Sequence, residues 1–310
     1  MTIRFALLTA VCLPIVTPAQ AQDTSADSSR DRSLIVGFLE DNLSGAGRDI
    51  RIEGFKGVLS SKATMDSLTI SDDAGIWFTL NDAVLDWNRT ALLSGRLEIN
   101  HLSAASIEVL RRPVSQAPSA TPEATVFSLP DLPVSIDIAK IAAENVRLGA
   151  DVLGLGEIVE LSVLGAGTLE NGDGSAELDI QRLTGPVGAF ALDVSYANTD
   201  SYFDLDLSLT EGQGGLISTL AGLPGSPDLS LTAKGAGPLD TFTAQIELAT
   251  LGQPRLAGTI GLSAVAQTQD AIETSASDTP KARAFLADLN GDVTPLFDPS
   301  YAPFFGASSA

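Results

Sequence analysis

Two segments of the chain state one pattern, and that pattern limits the fold more than any other feature. Leu97-Glu98-Ile99-Asn100-His101-Leu102-Ser103-Ala104-Ala105-Ser106-Ile107-Glu108-Val109 returns as Ile136-Asp137-Ile138-Ala139-Lys140-Ile141-Ala142-Ala143-Glu144-Asn145-Val146-Arg147-Leu148. The apolar residues fall in pairs, 97/99, 102/104 and 107/109, and the second copy keeps the same pairs. Within a pair the spacing is two, the period of a strand with one buried face. Between pairs it is three, so each join must absorb an extra polar residue in a bulge or tight bend to hold the apolar side chains on one face. A fainter copy lies upstream, where Ala63/Met65 is followed by Leu68/Ile70. Repeated short strands predict an all-β array that lengthens by adding strands, not a globule around a catalytic cleft.

The rest of the chain fits this reading. Ile76, Phe78 and Leu80 alternate, as do Ala83, Leu85 and Trp87. The region 49–112 is thus one stretch of β-repeat and 134–265 continues it. Between them, 113–133 holds five prolines among Ser, Ala and Thr, the composition of an extended loop that cannot pair as a central strand. Because the phrase resumes directly afterwards, the loop reads as an insertion in one array. Beyond Gly149 the alternation is cleaner. Phe190, Leu192, Val194 and Tyr196 alternate with small or acidic residues, and so do Phe203, Leu205, Leu207 and Leu209. Asn171-Gly172-Asp173-Gly174 reads as a hairpin turn. Two short helices are expected, at 34–43 after a possible Ser33 cap and at 215–223 before Pro224. The segment 266–284 reads as a polar loop, and 285–310 as the start of a further repeat without the polar cap an array needs, so the chain looks like the beginning of something longer.

The first 21 residues read as a secretory signal, with Arg4, an apolar stretch from Phe5 to Val16, and Ala19-Gln20-Ala21 placing cleavage between Ala21 and Gln22. A retained membrane anchor is the alternative. A polar stretch and the amphipathic helix fill 22–48. Cys12, the only cysteine, lies inside the signal, so disulfides and thiol chemistry are not expected of the mature chain. The net charge of -21 argues against nucleic acid, which needs a basic surface.

A search for chemistry finds little. His101 is the only histidine, and the second copy has Lys140 in its place, which marks a solvated bend residue. Ser-His-Asp and Cys-His arrangements and the usual zinc ligand sets therefore lack their parts. Asp204 and Asp206 resemble a calcium pair, but strand alternation accounts for them. Gly154-Leu155-Gly156 and Gly165-Ala166-Gly167 are not followed by the helix a dinucleotide loop requires. No catalytic residue, metal or cofactor is expected; an acid–base pair of carboxylates is the one enzymatic chemistry the composition leaves open. What remains is surface. The apolar face of a single curved sheet must be covered by another sheet, by a helix or by a ligand, and periodicity does not separate an ordinary sandwich core from a groove that holds acyl chains.

Further residues carry a family resemblance. Ile52-Glu53-Gly54-Phe55-Lys56-Gly57-Val58-Leu59-Ser60-Ser61-Lys62-Ala63-Thr64 resembles the N-terminal region of the TamB family, within the AsmA-like group. So does Ala83-Val84-Leu85-Asp86-Trp87-Asn88-Arg89 leading into Leu92-Leu93-Ser94-Gly95-Arg96-Leu97-Glu98. Further similar stretches are Gly214-Gly215-Leu216 through Leu223-Pro224-Gly225, and Gly252-Gln253-Pro254-Arg255-Leu256-Ala257-Gly258. The resemblance implies an elongated, curved β-groove in the periplasm of a Gram-negative bacterium, associated with the inner membrane. It implies a non-enzymatic conduit for phospholipid that works with the outer-membrane barrel TamA in outer-membrane protein assembly and protein secretion. The C-terminal region that engages TamA in the family has no counterpart here. On this reading Phe190, Leu192, Val194, Phe203, Leu205, Leu207, Leu209, Phe242 and Ile246 face the groove and touch acyl chains. The alternative is a periplasmic scaffold or chaperone that binds outer-membrane protein strands at an open sheet edge.

Overall fold

Alternating segments with one apolar face satisfy their backbone groups by pairing side by side, and here each pairs with its neighbour in sequence. The computed structural model describes residues 49–57, 60–114, 129–130, 132–264, 283–298 and 300. The expected signal with its Ala21–Gln22 junction, the expected helix at 34–43 and most of the polar loop at 266–284 lie outside the described residues. The strands are β1 (Asp49–Glu53), β2 (Lys62–Asp72), β3 (Gly75–Asn88), β4 (Arg96–Val109), β5 (Ser135–Leu148), β6 (Val159–Glu170) and β7 (Asp173–Arg182). They continue with β8 (Gly188–Ala197), β9 (Tyr202–Glu211), β10 (Leu229–Pro238), β11 (Thr243–Thr250), β12 (Gln253–Ala264) and β13 (Arg283–Asn290). All 13 form one open sheet in chain order, a path of about 58 Å at the usual strand spacing. The second expected helix is α1, Leu216–Leu220. The chain is all-β, as the repeat predicts.

Register places an apolar series from every strand on one face, while Val84, Leu164 and Leu286 fall on the other. Ile70 stands opposite Phe78, which stands opposite Val109. Further along, Ile180, Phe190, Leu209, Leu231 and Leu248 follow one another across five strands. We call the sheet end that carries Arg182, Glu211 and Leu229 the upper end, and the end that carries Tyr196 and Phe203 the lower end. The Asn171-Gly172 turn is the expected hairpin: both residues have positive φ, 51° and 79°, the combination a two-residue turn of this hand requires.

The joins of three behave as the sequence predicts, and they line up. Asp66, Asp82, Ala105 and Glu144 each interrupt the pairing of adjacent strands at one level, forming a column across β2–β5. Met65/Leu68, Leu80/Ala83, Ala104/Ile107 and Ala143/Val146 flank it, so the apolar face is unbroken on either side. A second break, at Asn100-His101 and Ala139-Lys140, crosses only β4 and β5. β6 steps evenly by two and takes up both breaks as register shifts against β5. Strands β7–β10 are regular.

The two copies of the phrase are neighbours, and they run parallel. Leu97 stands beside Ile136, Leu102 beside Ile141 and Val109 beside Leu148, so each residue of the first copy lies next to its equivalent in the second. Every other pair of neighbouring strands is antiparallel. Parallel neighbours need a long crossover, and residues 110–134 make this one. The proline-rich segment is therefore the connection that makes the pairing parallel, a role the reading as a plain insertion lacks. Its exit is fixed at the upper end. Arg111 forms a two-pronged ion pair with Asp72, with Nη1 at 2.9 Å from Oδ2, and Nη2 also donates to the Gly75 carbonyl at 2.6 Å. The Asp72 side chain is only 3% exposed and accepts the N–H groups of Val114 at 2.9 Å and Ala74 at 2.8 Å. The Arg111 guanidinium first, then those N–H groups, hold its carboxyl well below the usual carboxylate range.

Candidate functional site

The site is built by β6–β10, where regular alternation puts large apolar side chains on one face with no second sheet over them. Phe190, Leu192, Val194, Phe203, Leu205, Leu207, Leu209 and Ile246 are each half-buried, and register places them all on that face. Phe242 lies just before β11; it is buried, with its ring 5.2 Å from that of Phe203. It packs beneath the lower end instead of offering surface. Among the described residues, 12 apolar residues are buried and half of them are alanines. The large apolar side chains in the middle of this face, Leu192, Val194, Leu205 and Leu207, thus stop short of full burial, unlike those in the interior of a closed sandwich.

Two cavities open on this face. The upper one, about 450 Å³, is walled by Leu161, Ile180, Phe190, Leu207, Leu209 and Leu231, with Leu216 and Ile217 of α1 closing over it. The lower one, about 320 Å³, is walled by Leu169, Ala176, Val194, Tyr196 and Phe203, and by Leu129 from the returning end of the crossover. Asn198 holds that end in place. Its Oδ1 accepts the Leu129 N–H at 3.0 Å, and its Nδ2 donates to the Leu129 carbonyl at 2.8 Å. Gly174 makes room for the Leu129 side chain, since a Cβ there would lie 2.8 Å from its Cδ1.

Only two charged side chains stand on this face between β6 and β10, Arg182 and Glu211, both at the upper end. Glu211 is 7% exposed, and its carboxylate accepts the N–H of Ile217 at 2.9 Å and of Ser218 at 3.2 Å. It thereby caps α1, whose N-cap residue is Gly215 and has no side chain to do so. Arg182 has a side chain 3% exposed; its Nε donates to the Thr184 carbonyl at 2.7 Å and its Nη2 to Glu157 at 2.9 Å. Its Nη1 is buried without a partner.

The sequence singled out neither of these residues, nor Leu129. Arg182 had a readable signal: it continues the series Ala176, Leu178, Ile180 and so occupies an apolar position. Leu129 had none, being one leucine in a proline-rich stretch. The polar face keeps the residues expected of it. His101 stands opposite Asp86 at a break, and Asp206 accepts from Lys234 Nζ at 2.7 Å. Gly165 and Gly167 lie within β6 and Gly154 and Gly156 in the turn before it, so none forms a phosphate loop. Among the described residues no three or more His, Cys, Asp or Glu side chains come together. No helix there is long and apolar enough to cross a membrane. No protein-family model, curated protein or solved structure matches the chain.

Proposed function

We propose that the apolar face of β6–β10 takes up phospholipid acyl chains, and that the chain is the inner-membrane-proximal part of a TamB-like periplasmic conduit. The conduit moves phospholipid toward the outer membrane without chemical conversion and supports outer-membrane protein assembly and secretion. A TamA-like outer-membrane barrel is the proposed protein partner of that conduit. The observation that carries the reading is a single continuous apolar face across an open sheet, with two cavities in its regular half. Each methylene that leaves water there contributes roughly 0.8 kcal/mol to occupancy.

A photo-activatable phospholipid tests this. Leu205→Asp and Leu207→Asp place a charge on the apolar face and are expected to abolish crosslinking. Asp204→Asn and Asp206→Asn, one residue away on the polar face, are expected to leave it unchanged. Equal behaviour of the two sets would remove the groove from consideration.

One feature favours a second reading. β13 is an edge strand with Phe285 67% and Leu286 55% exposed, the kind of edge to which another strand adds. Capture of outer-membrane protein strands by protein free of lipid would favour that scaffold role.

A further inference from the structure

We infer that Arg182 is the headgroup site of the upper cavity, binding a phosphate oxygen of a phospholipid whose acyl chain lies along Phe190, Leu207, Leu209 and Leu231. The inference rests on the groove reading above and adds to it a point of polar recognition. Arginine at this position breaks the alternation of β7, where each neighbour on the same face is apolar or glycine. Its burial is structural. The loop after β7 turns back at Gly185, with a φ of 82° that suits glycine, and lies against the guanidinium. Gly188 leaves room for the side chain's stem. Two of the three guanidinium nitrogens are engaged by Thr184 and Glu157. Nη1 is the exception, sealed from solvent and without an acceptor. Native structures rarely keep a buried charged donor unmatched, and when they do the site is often one that a ligand completes. Arg182 is part of the wall of an apolar cavity of about 450 Å³, within the usual range for small-molecule sites, about 300–1,000 Å³.

The protein's charge makes the inference sharper. With a net charge of -21, the molecule as a whole repels anions. A preference for an anionic lipid over a neutral one of equal chain length must then come from a local cation, and Arg182 is the one on this face. Glu157, 56% exposed, offsets part of that charge through Nη2. It is therefore a competitor of the phosphate.

The test is competitive binding to the full chain, read by native mass spectrometry, with dioleoylphosphatidylglycerol, dioleoylglycerol and oleate as probes. The wild type is expected to hold phosphatidylglycerol about tenfold more tightly than diacylglycerol, the scale of one charge-assisted hydrogen bond. Arg182→Met should remove that preference while diacylglycerol still binds. Because Arg182 also ties down two loops, Glu157→Gln serves as a second variant. It leaves the guanidinium in place, removes the negative charge that competes with the phosphate, and should raise the preference severalfold. Equal binding of the two glycerolipids by the wild type would overturn the headgroup site and leave the groove standing. Failure of all three probes to bind would overturn the groove itself. Arg182-dependent binding of oleate alone would replace the phosphate with a carboxylate and overturn the assignment to phospholipid. An unchanged preference in Glu157→Gln would show that the phosphate is read elsewhere.

Discussion

Strands β2–β5 and strands β7–β10 carry the same alternation of apolar and polar residues, yet they treat their apolar faces differently. In the first group the breaks form a column, and small residues gather beside it: Ala83, Ala104 and Ala143 stand in one row. Ala104 and Ala143 are 5% and 6% exposed. In the second group Phe190, Leu192, Leu205 and Leu207 stay half-buried, and both apolar cavities lie alongside them. Bulges bend and twist a strand. A column of them bends the sheet along a line, and three of the four residues in the row on one side of it are alanines. Regular strands keep large side chains apart and leave space between them. One half of the sheet thus carries a line of breaks beside a row of alanines, and the other, regular half carries both apolar cavities.

The strongest way to break this comparison is to remove part of the column. Deleting Ala105 alone turns the join of three into a join of two, so β4 keeps its apolar face but slips by one residue against the bulged β3 and β5. The ladder hydrogen bonds lost on both sides are worth about 0.5–1.5 kcal/mol net each, so the expected loss is about 3 kcal/mol, measured by urea unfolding. Deleting Asp66, Asp82, Ala105 and Glu144 together removes the whole column and restores the mutual register of β2–β5, so cooperative unfolding should return. A single deletion with wild-type stability would show that the column does not fix the register.

The column explains how far the sequence could be read. The pairs and joins were visible because side-chain direction follows the period of the strand, and each join had to be a bulge or a tight bend. The parallel pairing of β4 with β5 was not visible in the phrase. Its spacing, two-three-two-three-two, reads the same in both directions, so a strand and its reverse present the same face. Direction was carried instead by the length of the connection from 110 to 134, too long for a hairpin. The regular half gave up its face-forming residues readily: Phe190, Leu207 and Leu209 do line the upper cavity. It concealed how α1 is capped, because the capping carboxylate belongs to Glu211 in the preceding strand. The placement of Leu129 depends on Asn198, 69 residues away, a separation at which local pattern holds no information.

A gentler probe uses pH. The Asp72–Arg111 clamp fastens the crossover to the bulged half. A carboxyl held below its ordinary range stabilises the fold fully above the unfolded-state value, about pH 4, and that contribution fades as the pH falls further. The wild-type urea midpoint should therefore drop between pH 5 and pH 3 more steeply than that of Asp72→Asn, which already lacks the contribution at pH 7. Parallel curves would mean that the clamp adds nothing to the half it joins.

The smallest expected effect is at the crossover's other end, in the regular half. There the tie is neutral: two amide hydrogen bonds between Asn198 and the backbone of Leu129, with the leucine side chain beside Gly174 in the wall of the lower cavity. Asn198→Ala removes both bonds. Each is worth about 0.5–1.5 kcal/mol net, but the segment they hold can lift away without unfolding a strand. Global stability should then change by less than about 1 kcal/mol, while the Leu129 amide loses most of its hydrogen-exchange protection. Leu129→Ala is the control, because it keeps the bonds and removes only the side chain from the lower cavity. If Asn198→Ala leaves the amide protected and Leu129→Ala exposes it, the apolar seat is what holds the crossover down. The regular half would then already be binding an aliphatic chain, its own, by the kind of contact proposed for a lipid.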